Sequence, residues 1–565
     1  MKKGKNLLRF GYMLFLAALF VSCAKMGEMS SEYITVVPSP LEVKANKVEA
    51  TITGKFPEKY FLKKATLDVT PVLKYEGGEA VGTTVTYQGE KVKGNNTVIA
   101  YKAGGTFTQT ISFDYVPAMK TSKLYLTFKA KVGKKEVQIP EVEIAQGCIT
   151  TSTLVNPKEV ATAIGADKFE RIIKENYEAA ILFEIQRADL KSKALKTEDI
   201  KKLAAQLASA NDKKAVSALE VAAYASPDGG VSLNEKLAAN REKNTVDYLS
   251  KELKKSKITT PVDAKYTAQD WDGFQQLMMN SNIQDKDLIL RVLSMYPDPD
   301  QREKEIKNLS AAYTKIASEI LPQLRRSKMK LVMDVVGKSD EEILAAAKQN
   351  PSSLTVEELI YAGKIAQDKS LKTASAEQVV ALYPEDWRGY NNLAALKIEA
   401  GQTAEASKLL ATAAQKGGDQ PQINYNLGLV ELTKNNYTKA KEYFGKAAGV
   451  GESLAEAQGV AYIQAGQYDK AVSAFGNTTS NNAALAQILN GNYQKATAIA
   501  DACQNKTADT YYLKAIAGAR SNNKDQVISS LKSAIQKDSS YAKKAASDME
   551  FAKYLVDADF LSVAK

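Results

Sequence analysis

The period of the hydrophobic positions changes twice along this chain. From about 33 to 150 apolar residues alternate with polar ones or gather in β-branched runs, as in Tyr33-Ile34-Thr35-Val36-Val37, Val48-Glu49-Ala50-Thr51-Ile52 and Leu67-Asp68-Val69-Thr70-Pro71-Val72. Similar runs cover 83–87, 111–115, 124–132 and 137–144, with Gly77-Gly78 and Gly104-Gly105 between them as turn signals. The spacing predicts an all-β sandwich over 33–150.

From 155 to 337 the texture is mixed. A helix is expected over 156–178, then a strand at 180–185. A second helix follows near 196–208, where Ile200, Leu203 and Leu207 recur at helical spacing. A strand at 218–224, a helix over 233–253 and a last strand at 329–336 complete a β-α-β-α order ending in β, which predicts a two-layer α/β domain.

The last 200 residues are alanine-rich, helical and periodic. A small residue is followed 12 positions later by alanine and 16 later by an apolar side chain. Ala394, Ala406 and Leu410 fit, as do Gly428, Ala440 and Phe444, and Gly459, Ala471 and Phe475. Ala484, Ala496 and Ala500 follow more weakly, as do Ala515, Val527 and Leu531. Short residues let paired helices approach, and the bulky one fills the groove between units. This resembles the tetratricopeptide repeat, which implies an α-helical solenoid over 355–550 with a groove for protein partners.

The β-rich segment looks like an immunoglobulin-type module, on pattern alone. At the N-terminus, Lys2, Lys3, Lys5 and Arg9 precede an apolar run from about 10 to 21 that ends in Phe20-Val21-Ser22-Cys23. This resembles the lipobox of bacterial lipoproteins. It implies a signal peptide over 1–22, lipidation at Cys23 and a stable acyl anchor in a membrane. No aspartate follows the cysteine and no acidic cluster comes after it, so the expected place is the outer membrane, facing the periplasm.

The segment 220–250 carries the one candidate ligand site. Ser232-Leu233-Asn234-Glu235 reads as a capping box at a helix start. Asn234 and Arg241, seven residues apart, project from one face roughly 10 Å apart along the axis. With the turn Pro227-Asp228-Gly229-Gly230, they suggest a pocket for a carboxylate. Tyr224-Ala225, Gly229, Asn234, Leu237 and Arg241 fall on the pattern of the OmpA-like peptidoglycan-binding family, and Leu324-Arg325-Arg326 resembles its element before the last strand. The turn Ala225-Ser226-Pro227-Asp228-Gly229 is similar to that of OmpA-like domains of Bacteroidetes. The resemblance implies a grip on the peptidoglycan stem, with Asp228, Asn234, Arg241, Arg325 and Arg326 as candidate contacts. Two positions depart from the family: Ser226 stands where its aspartate falls, so Asp228 substitutes only if the turn swings it inward, and Glu242 follows the arginine. Between 253 and 324 the family's glycine-rich strand is expected to give way to a longer helical segment around Trp271 and 288–296.

Composition then narrows the chemistry. The chain has no histidine, which removes histidine-based triads, general bases and zinc sites. Its three cysteines, Cys23, Cys148 and Cys503, lack CxxC spacing, so no metal site is expected, and the last two are expected as buried free thiols. The formal charge is +11, of which the leader supplies four, and no Lys/Arg run is interleaved with aromatics, so no nucleic-acid partner is expected. The sequence therefore predicts a non-enzymatic envelope scaffold without cofactor. Its expected contacts are the membrane through its lipid anchor, unidentified protein partners in the repeat groove, and peptidoglycan. The alternative is a surface-exposed accessory lipoprotein of a glycan-capture or fimbrial assembly.

Overall fold

The computed structural model describes residues 26–564, so the leader and Cys23 lie outside the described residues. The described residues divide into two compact units, one formed by 26–166 with 376–564 and the other by 167–375. The β-rich segment and the helical repeats, distant in sequence, thus belong to one body.

In the first unit, ten strands precede residue 150. They are β1 (Ile34–Val37), β2 (Leu41–Lys44), β3 (Lys47–Phe56), β4 (Ala65–Tyr75), β5 (Gly78–Val81), β6 (Val85–Gly89), β7 (Thr97–Ile99), β8 (Gly105–Asp114), β9 (Ser122–Val132) and β10 (Lys135–Ile149). They form one continuous, curled sheet rather than the two separate sheets of the expected sandwich. The joint is β2, which pairs antiparallel with β3 through Val43 and Lys44 and parallel with β10 through Leu41 and Glu42. Its four residues carried too short a pattern to be read in advance. Strict alternation puts Val48, Ala50, Ile52 and Phe56 of β3 inward, against Phe107, Ile111 and Phe113 of β8. Gly54 lies opposite Phe107, and a Cβ there would sit 2.1 Å from the ring. The ring occupies the space that the missing side chain leaves.

The second unit holds β11 (Ile172–Leu182), α1 (Glu198–Ala208), β12 (Lys214–Tyr224), α2 (Val231–Lys255) and β13 (Val262–Thr267). An all-helical insert follows, made of α3 (Trp271–Met279), α4 (Lys286–Met295), α5 (Pro299–Asn308), α6 (Ser310–Lys315) and α7 (Leu321–Leu324), and then β14 (Arg326–Val336), α8 (Asp340–Gln349) and α9 (Val356–Ile365). The sheet order is β11-β14-β12-β13, parallel only between β12 and β13. Ile181, Leu219, Val221, Met329 and Leu331 turn one face toward Leu203 and Leu207 of α1 and Leu249 and Leu253 of α2. On β14 and β12 the alternate residues Lys328, Lys330, Glu220 and Ala222 stay on the other face, so the architecture is two-layered. Three local expectations fail. The helix expected over 156–178 is absent: the chain is irregular to 171 and then forms β11. Helix α2 starts on Gly230 without a side-chain cap, not on a Ser232 box. A strand, β13, does precede the helical insert; its edge position leaves it only partly buried, so it shows little hydrophobic alternation.

The unit boundary falls inside α10 (Lys369–Leu382). Five helical hairpins follow: α11 (Trp387–Glu399) with α12 (Thr403–Gly417), α13 (Pro421–Thr433) with α14 (Tyr437–Gly445), α15 (Glu452–Gln464) with α16 (Tyr468–Phe475), α17 (Asn481–Leu489) with α18 (Tyr493–Ala502), and α19 (Ala508–Arg520) with α20 (Lys524–Lys537). Each coincides with one occurrence of the small–alanine–apolar spacing, the two weak ones included. The steric reason is direct: a Cβ at Gly428 would lie 2.3 Å from the Phe444 ring, and one at Gly459 would lie 2.6 Å from Phe475. This is a tetratricopeptide-type solenoid. Shorter helices, α21 (Ser540–Ala546) and α22 (Ala558–Val563), finish it, and Arg520 ties this end to the β sheet by pairing with Glu550 at 2.5 Å and with Glu42 of β2 at 2.8 Å.

Candidate functional site

The residues singled out in the second unit do converge, but on each other. Asn234 reaches back from the first turn of α2 to donate to Ser226 O (3.0 Å) and Gly229 O (2.9 Å), closing the turn after β12. Arg241, two turns on, is 1% exposed. Its guanidinium donates to the carbonyls of Arg187 (3.0 Å), Tyr224 (2.9 Å) and Glu184 (3.4 Å) and lies 5.1 Å from the Phe183 ring centre. Burial, aided by the nearby Arg325 charge, pushes it down to about 10. It remains charged at neutral pH, and its charge is spent on main-chain carbonyls.

Asp228 does turn inward. It accepts from Arg325 Nη2 at 3.0 Å and from the Ser226 hydroxyl, which itself accepts from Arg325 Nε at 3.1 Å. Ser226 therefore bridges the pair that neutralises Asp228. Arg326 pairs with Asp270 at 2.7 Å and stacks over Tyr224 at 4.6 Å. The connection from β13 to the insert closes over the same turn: Gln269 donates to Gly229 O at 2.9 Å. Pro227 and Asp228 share with Trp271, Phe274 and Tyr313 a cavity of only about 10 Å³, room for one water at most. The candidate side chains Asp228, Asn234, Arg241, Arg325 and Arg326 are thus all engaged by protein groups.

The solenoid presents a different kind of site, and it lies in the first unit together with the segment that occupies it. Residues 155–166 run along the first helices of the hairpins in a largely extended path. Two residues before the small position of its repeat, each of three first helices carries an asparagine: Asn392 before Ala394, Asn426 before Gly428 and Asn482 before Ala484. Each holds both the N–H and the C=O of one residue of the segment. Asn482 accepts from Asn156 N at 2.9 Å and donates to its carbonyl at 2.9 Å. Asn426 does the same to Ala163 at 3.0 and 2.6 Å, and Asn392 to Gly165 at 2.7 and 3.0 Å. A side-chain amide offers one acceptor and one donor side by side, the same pair that an extended residue presents. The clamp therefore reads main chain.

Neighbouring groups complete the groove. Asn391 donates to Ala163 O at 3.0 Å and accepts from Asn426 at 3.0 Å, linking adjacent repeats. The Tyr425 hydroxyl lies 2.8 Å from Ala161 O, and burial raises its pKa well above the ordinary range. The third hairpin has Ala457 at the asparagine position, and between its clamped residues Asn156 and Ala163 the segment makes the short turn Pro157–Glu159 instead of an extended run. Chain direction is reversed: the segment runs from 156 to 165 while its clamps run from 482 back to 392.

Sequence reasoning missed this groove because 156–178 was read as helix. The signal that could have found it is the asparagine recurring two residues before the small position in three of the five repeats.

No family model matches the chain, and no curated protein matches it. Among solved structures, the chain is similar to a tetratricopeptide repeat protein from Parabacteroides merdae, with 19% identity over 35% of this chain and 85% of that one (TM-score 0.29). It is also similar to YrrB, described as a TPR protein with an unusual peptide-binding site (21% identity, 29% and 92% covered, TM-score 0.23). A third is PilW, described as a type IV pilus biogenesis factor (16% identity, 41% and 100% covered, TM-score 0.28).

Proposed function

We propose that this chain is a cell-envelope scaffold that binds other proteins through its solenoid and performs no catalysis. One observation carries this reading: three asparagines at equivalent repeat positions each clamp both main-chain groups of an extended segment. That is machinery for holding polypeptide, and it works without reference to most side chains. The absence of histidine is consistent with a binding role.

The leader pattern and Cys23 support an anchored lipoprotein of the outer membrane that faces the periplasm. No helix among the described residues is long and apolar enough to cross a membrane, so the proposed attachment is the acyl group. For the second unit, the reading that the geometry supports is an OmpA-like module that keeps the family's architecture while its candidate contact residues are engaged by protein groups. Arg241 is turned onto carbonyls, Arg325 is paired with Asp228, and the connection to the insert seals the turn. Peptidoglycan contact through these residues would require that seal to open.

Labelled palmitate supplied to cells making the full-length protein tests the anchor. Incorporation that sediments with outer membranes and vanishes in Cys23→Ser supports it; unlabelled, freely soluble protein overturns it. Recovery on purified sacculi tests the wall contact, for which no enrichment over a non-binding control is expected.

A further inference from the structure

The segment in the groove is held by more than its backbone. Burial alternates along it, with Ala163 and Gly165 inward and Ile164 and Ala166 outward, as an extended strand against a surface requires. Val160 (4% exposed) and Ala163 (7%) belong to the hydrophobic core of the solenoid itself. At Gly165 a Cβ would lie 2.7 Å from Arg388 Cγ and 3.1 Å from Trp387 Cη2. So one buried position carries a branched aliphatic side chain, a second carries alanine, and a third admits hydrogen alone. Between them, Ala161 and Ile164 face solvent and Thr162 donates to Glu399 at 2.9 Å.

We propose that the groove selects extended polypeptide of the pattern Val-x-x-Ala-x-Gly, that Val160 to Gly165 is its resident ligand in cis, and that a partner protein carrying the same pattern displaces it. This rests on reading the solenoid as a protein-binding module and is independent of the anchor. The resident segment makes the groove self-occupied, so affinity for a partner is lowered by the fraction of time the groove is filled.

The probe is a fluorescent synthetic peptide with the sequence of residues 155–167, titrated into the full-length protein. In the variant Ala163→Asp/Gly165→Val, whose own segment no longer fits, the peptide should bind about tenfold or more tighter than to the unaltered chain. Adding Asn426→Ala should abolish that binding, and the peptide carrying Gly→Val at the position of Gly165 should not bind. Equal affinity of the opened and unaltered chains overturns the proposal. Equal binding of parent and Gly→Val peptides overturns the pattern while leaving a general peptide-binding solenoid in place. Should the double variant not fold, hydrogen exchange on the unaltered chain decides. Saturating parent peptide should speed exchange of the Ala163 and Gly165 amides and the Gly→Val peptide should not; no acceleration overturns the displacement.

Discussion

Asn426 holds Ala163 at both main-chain groups, accepting from its N–H at 3.0 Å and donating to its carbonyl at 2.6 Å, across 263 residues of sequence. The bond also reaches sideways, since the same amide donates to Asn391 in the preceding repeat. One side chain thus joins two repeats to the strand that lies across them.

Asn426→Ala should cost about 2–3 kcal/mol, because it leaves the buried Ala163 N–H without an acceptor and the buried Asn391 side-chain oxygen without its donor, while Ala163 O keeps its bond from Asn391. Chemical denaturation of the full chain, following the first unit, measures this. Asn482→Ala should cost a similar amount.

Gly428→Ala sets two effects against each other. Alanine gains up to about 1 kcal/mol in helix propensity, but its Cβ would sit 2.3 Å from the buried Phe444 ring. Overpacking costs about 1–3 kcal/mol, so the substitution should lower the melting temperature on balance. Adding Phe444→Leu should recover part of the loss, and a fully additive double mutant would rule out the steric account.

Arg241→Met should destabilise the second unit by about 1–3 kcal/mol, since three partly buried carbonyls lose their donor. Urea unfolding followed at this unit checks it. An arginine kept for a ligand would instead leave stability nearly unchanged when removed.

Cys148 and Cys503 are buried free thiols, and burial pushes Cys148 up to about 11. A raised thiol pKa leaves the protonated, unreactive form dominant below that value, so at pH 8 only about one molecule in a thousand carries the Cys148 thiolate. Native protein should therefore resist a thiol-reactive dye at Cys148 and react fully only after unfolding. Rapid native labelling there would contradict the packing.

The repeats were legible because their steric rule is local: 16 residues separate Gly428 from Phe444, and the pattern of small and bulky residues records the contact directly. The site was legible in part. Asn234 and Arg241 do lie on one buried face of α2, as their spacing required, but spacing could not say that Arg241 would meet the carbonyls of Glu184 and Arg187 rather than a ligand. The groove segment was misread for a related reason. Val160, Ala163 and Ile164 stand at intervals that suit a helix, while the groups that keep them extended come from asparagines more than 220 residues away. Likewise β13 is defined by its pairing with β12, not by its own sequence, which alternates weakly.

Hydrogen exchange read amide by amide tests the central claim, that the solenoid grips extended main chain. The amides of Asn156, Ala163 and Gly165 belong to no helix or strand, yet each is bonded to an asparagine side chain. They should exchange as slowly as the interior helices of the solenoid, while the neighbouring Ile164 and Ala166 exchange quickly. Uniform fast exchange across 155–166 would contradict it.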